Sequence, residues 1–577
     1  FQRGGHPVER DDLERMSRSL AMYGPEKRVA KPDGEVGFVY AHFTNTPEAR
    51  NAMQPILSRG GRYTMVFDGR IDNRDDLARS LGLEANRLRQ TSDANLALLS
   101  WEKSGEACLN QWVGEFAAIL WDRQEREAYL IRDQFGRRPL HYNLTDKRLV
   151  VASMAKGIHA LGDIPKELDR ARLTDVLTQF DCDLTRSYYR QIDLVPPASF
   201  VRVSRDQVRT TKYYALRDHV KPVRYKRDQD YVEAAQELFD VALTACMRSP
   251  GKVGSHLSAG MDSSLIVAQM APKLDALGER MPTYTWVPSD SFSAPAAPGL
   301  CYDESPAAHA MAEMYPNLDL NFIGREGPSL YDGLKEYFLT AESVIRNGLN
   351  VPLLMETGRK CREDGVKVLL SGGYGNLTFS YKGIGAPYER FRTGRWGELV
   401  RDIYGHPNPP EQWRKLLLSV VPQRLVSAIR AAKNPNNTFE NMVQRRSAAN
   451  VESTQDRNIT QRAKEMNYSL IYHPPKDDSD HWITYIENYA GPVEANLLAA
   501  LPALFGHEMR DPFIDRRILE WRFGVPDTQF RKDGRGRYLM RRMMAGRAPE
   551  MVVEQTLGKG IQSADWVERL QPDANRS

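Results

Sequence analysis

The sequence predicts two domains of different class: an α+β domain of short strands, then an α/β domain with a parallel sheet and a helical C-terminal part. Three observations carry this. At 577 residues the chain is too long for one core, given ~100–200 residues per domain. As far as about residue 205 its apolar runs are short and rich in aromatic and β-branched residues, with few helices between them. Beyond about residue 230, strand-like runs alternate with helical periodicity, the pattern of a doubly wound sheet. Lys221–Asp230, Lys-Pro-Val-Arg-Tyr-Lys-Arg-Asp-Gln-Asp, reads as the linker and divides the chain into 1–220 and 221–577.

In the first half the periodicity predicts helices over Glu9–Tyr23 and Ser92–Ser104. Strands are expected at Val36–Phe43, Tyr63–Phe67, Phe116–Trp121, Ala128–Arg132, Leu149–Ala152 and Phe200–Val203. The second half opens with a helix, about Tyr231–Arg248, and carries strands at Pro282–Val287 and Val366–Leu370. From about Gly383 to His481 it is helical and charged, with loops at Asn434–Asn437 and Ser453–Asp456. That stretch is the expected place for gripping a peptide.

Composition removes several function classes. With 41% apolar and 27% charged residues the chain is globular, and 79 basic residues nearly balance 75 acidic ones. The net charge of +4 gives no reason to expect nucleic acid or an anionic membrane. Cys108, Cys182, Cys246, Cys301 and Cys361 lack Cys-x-x-Cys spacing, so neither a zinc site nor a disulfide framework is expected. They read as reduced thiols in a cytoplasmic protein. No run of about 18 apolar residues calls for membrane insertion, and no signal peptide is evident. Phe1 is not an initiator Met, so residues are expected upstream.

Chemistry concentrates in Val253–Leu265. A strand-like run enters Leu257-Ser258-Ala259-Gly260-Met261-Asp262-Ser263-Ser264, and an apolar-periodic helix leaves it. Backbone N–H groups and hydroxyls at such a place bind anions, and Asp262 there suits a hard cation beside a phosphate. The competing reading is an ordinary turn before a helix.

Several motifs, in order, resemble known families. The loop is similar to the Ser-Gly-Gly-x-Asp-Ser loop of ATP pyrophosphatases, with Ala259 for the second Gly. In the first half, Phe67-Asp68-Gly69-Arg70-Ile71-Asp72-Asn73, Ser92-Asp93 and Ile131-Arg132-Asp133-Gln134-Phe135-Gly136-Arg137-Arg138-Pro139-Leu140-His141-Tyr142 resemble the glutaminase domain of asparagine synthetases. The resemblance implies an N-terminal-nucleophile sandwich for the first domain and an adenine-nucleotide-alpha-hydrolase-like sheet for the second. The chain departs from the family where glutamine is handled: no Cys precedes Cys108, and Asp68-Gly69-Arg70 replaces Asn-Gly-Glu. A degenerate glutaminase domain with a scaffolding or docking role is expected, in which Arg132, Asp133, Pro139 and Leu140 maintain the fold.

In the second half the resemblance implies ATP and Mg2+ as cofactors. It places Leu257, Ser258, Ala259, Gly260, Asp262, Ser263, Ser264, Val287 and the Ser371-Gly372-Gly373 turn at the nucleotide, with Asp262 and Asp303 as metal ligands. As a lone Asp before a helix, Asp303 would instead be an N-cap. Glu342 falls at the family's active-site glutamate, which helps to deprotonate an amine in the lactam-forming branch; a solvated helix face is the alternative. That branch pairs its Glu with a Tyr, for which Tyr302 is the candidate. Met509–Asp515, Gly536–Arg541 and Leu557–Asp565 match later family segments, and Lys559 is the expected catalytic cation rather than a surface lysine.

Asparagine formation is put in doubt by Asn376-Leu377-Thr378, where the family continues Ala/Ser-Asp-Glu. The turn Ser371–Ser380 and the segment Gly560–Trp566 look most like lasso-peptide cyclases, macrolactam synthetases acting on a ribosomally made peptide. The implied partners are a precursor or core peptide and a leader-peptide protease. The alternatives are a β-lactam-synthetase-like closure, a non-catalytic docking scaffold, and glutamine-dependent asparagine synthesis.

Overall fold

In the computed structural model the described residues are 1–50, 52–178, 183–345, 347–421, 461, 478–487 and 491–570. The first domain stacks four layers. Its centre is a six-stranded antiparallel sheet running, in spatial order, Val208–Lys212, Ser199–Val203, Glu127–Arg132, Gly114–Asp122, Tyr63–Ile71 and Ile56–Leu57. Successive side chains of a strand point to opposite faces. Phe116, Ala118 and Leu120 therefore meet Leu77, Leu96 and Trp101 of the helices Arg74–Leu81 and Asp93–Ser104. Ala117 and Trp121 face the other way, toward Phe38, Leu140 and Leu149 of a second strand layer. That layer holds the hairpin Lys27–Asp33/Val36–His42 and the strands His141–Leu144 and Leu149–Ala152. Its outer side is closed by Met16 and Leu20 of the helix Arg10–Leu20 and Ile158 of Ala155–His159. Helix, sheet, sheet, helix is the expected sandwich.

Two strands differ from expectation for identifiable reasons. Tyr63–Ile71 outruns the predicted Tyr63–Phe67 because Asp68, Gly69 and Arg70 continue the ladder with Ala117, Phe116 and Glu115. Lys27–Asp33 was not expected, being charged and containing Pro32; it is an edge strand paired with Val36–His42 alone, where a missing N–H is tolerated.

The second domain is built on a five-stranded parallel sheet in the order Leu318–Ile323, Met281–Trp286, Lys252–His256, Val366–Leu370, Glu508–Arg510. Strand order reverses beside Lys252–His256, whose neighbours are the next strand on one side and a much later one on the other. A crevice opens at such a switch point, outside the carboxyl ends of the strands. The helix preceding it starts at Asp228, earlier than predicted, because Asp230 accepts from the Arg227 N–H at 3.2 Å and from its guanidinium at 2.8 Å. Of the charged C-terminal stretch, Ala386–Arg392, Trp396–Tyr404, Pro409–Val420 and Asp478–Tyr485 are helical. Asn434–Asn437 and Ser453–Asp456 lie outside the described residues. Cys108, Cys246, Cys301 and Cys361 are free and buried, and Cys182 is outside the described residues. No helix among the described residues is long and apolar enough to cross a membrane.

Candidate nucleotide site at the switch point

The loop between Lys252–His256 and the helix Met261–Asp275 lies at that crevice and is tied by its own hydroxyls. Ser258 N–H donates to Ser263 Oγ at 3.0 Å, the two serine hydroxyls lie 2.8 Å apart, and Gly260 N–H donates to Ser258 Oγ at 3.1 Å. Ser264 Oγ donates to Ser258 O at 3.3 Å, and Leu257 N–H to Tyr284 O at 3.0 Å. Val287 continues its strand by donating to Ile323 O at 2.9 Å, so it too sits at a carboxyl end.

The turn after Val366–Leu370 crosses directly over Asp262. A Cβ on Gly372 would lie 3.1 Å from the Asp262 carbonyl carbon, and one on Gly375 only 2.2 Å from Asp262 Oδ1. Ser371 N–H donates to Arg510 O at 2.9 Å, and Asp511 Oδ2 accepts from Tyr374 N–H at 3.0 Å, which fixes the turn around Gly373. Asp262 is buried and its Oδ1 has no partner; burial pushes its carboxyl up to about 6, against the pull of Ser380 and Arg537. A buried carboxylate oxygen left unpaired is costly unless a cation completes it, so the donor set fits the expected Mg2+.

The carboxylate turned to the loop from the next element is not that of Asp303. Both Asp303 oxygens accept from Ser305, from its N–H at 2.9 Å and its hydroxyl at 2.9 Å, an Asx turn just before the helix, whose N-cap is Glu304. Glu304 instead accepts from Ala259 N–H at 3.1 Å, and burial raises its carboxyl. The Tyr302-Asp303-Glu304-Ser305 motif contained that signal, because an Asp readily accepts from the backbone N–H two residues on in an Asx turn. Lys559 is on the short strand Lys559–Gly560, parallel to Leu300–Cys301. There Gly560 packs on Glu304, its absent Cβ only 2.3 Å from Glu304 Oε1. Lys559 therefore comes to the same crevice. Two further cations that the sequence did not single out join it: burial, then Arg537 and Lys559, push the Lys382 ammonium down. Arg537 donates to Asn376 Oδ1 at 2.9 Å. None of the three cations forms an ion pair among the described residues. Three clustered cations, one of them Arg537 acting on the Asp262 carboxylate, suit a polyphosphate with a metal ion.

Glu342 is at the domain seam. Its Oε2 accepts from Lys156 N–H at 2.9 Å and its Oε1 from the Tyr189 hydroxyl at 3.5 Å. Tyr302 lies tilted against Phe292, ring centres 5.8 Å apart, while the phenol that donates to Glu342 is that of Tyr189 from the first domain. Nothing in the local sequence marked Tyr189, since the pairing spans the two domains.

Arg70 is buried in the same seam. It donates to Asp72 Oδ1 and to Glu115 Oε2, each at 2.9 Å. Glu115 also holds Arg137 at 3.3 Å, and Arg137 reaches the Tyr374 hydroxyl at 3.2 Å and Glu494 at 2.5 Å. A buried ion network thus runs from the Asp68-Gly69-Arg70 segment to the nucleotide turn. The first domain's cavity, about 240 Å³, is lined by Asp68, Gly69 and Arg138 among others, while Arg70 points away from it.

Comparisons with known proteins find two domains in the chain. Residues 4–214 match the glutamine amidotransferase domain model, and residues 234–575, more than half of the chain, match the asparagine synthase model. The chain belongs to the asparagine synthase family. Among similar proteins, glutamine-hydrolyzing asparagine synthetase 2 of Bacillus subtilis (strain 168) is 22% identical over 544 residues, 90% of this chain and 65% of that one. Glutamine-hydrolyzing asparagine synthetase of Gallus gallus is 26% identical over 340 residues, 57% of this chain and 56% of that one. The chain therefore spans under two thirds of these relatives' length. A Bacillus subtilis glutamine phosphoribosylpyrophosphate amidotransferase structure covers 51% of this chain and 67% of its own, at 14% identity and TM-score 0.26, and carries no weight here.

Proposed function

We propose that this member of the family is an AMP-forming ligase that closes a macrolactam in a ribosomally made peptide. An Asp or Glu side-chain carboxylate of the peptide attacks the α-phosphorus of ATP, forming an acyl-adenylate and releasing pyrophosphate. The peptide's N-terminal amine then attacks the acyl carbon; the amide forms, AMP leaves and the amine loses a proton. Mg2+ would neutralise phosphate charge, held by Asp262. Ser258, Gly260 and Ser263 cradle phosphate oxygens, Lys382, Arg537 and Lys559 meet the departing pyrophosphate, and Glu342 takes the amine proton. Holding both reacting ends in one site makes closure intramolecular, worth up to ~7–11 kcal/mol.

The observation that carries the internal-amine part is Arg70. Where the family has a glutamate for glutamine's ammonium, this chain has a guanidinium bound to Asp72 and Glu115. That guanidinium is turned away from the first domain's cavity, so the position that would meet glutamine's ammonium supplies no carboxylate of its own, which favours an amine already present in the substrate over ammonia. A leader-peptide protease that exposes that amine is the proposed partner. The test is isotopic: a core peptide with an 18O-labelled acidic side chain should transfer one 18O to AMP. Label found in AMP only when aspartate and glutamine replace the peptide would restore asparagine synthesis.

A further inference from the structure

The helix Leu334–Ala341 ends against the first domain, and its last three carbonyls all have partners from outside the helix. Leu339 O accepts from Lys156 Nζ at 2.7 Å, Thr340 O from the Tyr23 hydroxyl at 2.5 Å, and Ala341 O from Asn496 Nδ2 at 3.0 Å. Carbonyls at a helix end lack intrahelical donors and carry partial negative charge, so an ammonium is especially favourable there. Lys156 also lies over the Tyr23 ring, 5.2 Å from its centre, so the two donors brace each other.

Glu342 follows at once, with φ +48, a left-handed conformation that a residue bearing a Cβ adopts only under constraint. That turn sends its side chain back to the first domain, to Lys156 N–H and the Tyr189 hydroxyl. The charged and titratable groups that face it are Lys156, Lys166, Tyr23 and Tyr189, all from that domain. Burial raises the Glu342 carboxyl, while the Lys156 N–H, the Lys156 and Lys166 charges and the Tyr189 hydroxyl pull it down. Burial and Glu342 push the Tyr189 phenol up to about 12, so it remains a donor at neutral pH.

We propose that the first domain supplies the positioning residues of Glu342: Lys156 and Tyr189 orient the carboxylate, and Tyr23 with Lys156 fix the helix end that carries it. The proposal rests on Glu342 taking the amine proton in the ligase reaction above. It gives the first domain a direct part in the amide-forming step.

The test uses the full chain with ATP, Mg2+ and a synthetic leaderless peptide bearing a free N-terminal amine and one acidic side chain. Adenylation is read by pyrophosphate exchange and closure by mass. Tyr189→Phe should slow closure roughly three- to tenfold, the loss of one long hydrogen bond of ordinary strength, and leave exchange unchanged. Its acid limb should move to higher pH, because the charged carboxylate has lost a donor. Lys156→Met should slow closure further and Lys156→Arg restore most of it. Tyr23→Phe and Lys156→Met should also speed amide hydrogen exchange within 334–345 and leave 257–265 unaffected. An unchanged pH profile in Tyr189→Phe, with unaltered amide exchange in the other variants, would overturn the proposal and leave the ligase reading intact. A parent chain that neither exchanges pyrophosphate nor closes the peptide would sink the ligase reading, and this proposal with it.

Discussion

Gly375 approaches Asp262 so closely that a Cβ there would stand 2.2 Å from Asp262 Oδ1. The carboxylate's position is set by the absence of a side chain on a neighbouring turn. Gly375→Ala must push the carboxylate aside, and a displacement near 1 Å at a reacting centre costs about 100-fold. Pyrophosphate exchange should fall by that order while circular dichroism stays close to the parent's.

Asp262→Asn separates binding from folding. The parent buries a carboxylate oxygen with no partner, so exchanging the charge for an amide should raise unliganded stability, by about 1–3 kcal/mol. The thermal shift on adding ATP and Mg2+ should vanish, where the parent should gain about 2.7 kcal/mol at a hundredfold excess over Kd. Melting curves with and without ligand read both quantities.

Breaking the seam network should be expensive. Arg70→Met leaves Glu115 buried with a partner lost, at a cost of about 3–5 kcal/mol in urea denaturation. Burial raises the Glu115 carboxyl, but the guanidiniums of Arg70, Arg137 and Arg138 outweigh it and hold it at about 2. A depressed carboxyl stabilises the fold fully above its ordinary range and stops doing so as pH falls through the folded value. Acid unfolding of the parent should draw on Glu115 between pH 4.5 and about 2, and Arg70→Met should unfold at higher pH.

Lys559 and Lys382 should divide the phosphate work. Lys559→Met is expected to lower kcat about 10²–10³-fold, the loss typical of a donor aimed at transition-state charge. Lys382→Met removes a cation already pushed down by burial and by Arg537 and Lys559, so its effect should be the smaller and appear mainly in KM for ATP. Steady-state kinetics at fixed Mg2+ distinguish the two.

Much of this architecture was legible in the sequence, because the signals were local. Val366–Leu370 and Leu149–Ala152 announced themselves as apolar runs, and the Ser258–Ser264 loop as hydroxyls and Gly before an apolar helix. What stayed hidden was relational. Lys27–Asp33 is a strand only because Val36–His42 pairs with it, and Tyr189 meets Glu342 only because two domains close on each other. Asp303 and Glu304 are adjacent, and which of them turns to the loop rests on where Ser305 and Ala259 lie in space.

The most direct test of the central claim is mass spectrometry of a leaderless core peptide incubated with the full chain, ATP and Mg2+, beside an Asp262→Ala control. The account predicts loss of one water from the peptide with AMP formed, and neither in the control. Unaltered peptide, with AMP and pyrophosphate appearing only when a small β-amino acid or aspartate plus glutamine is supplied, would contradict it.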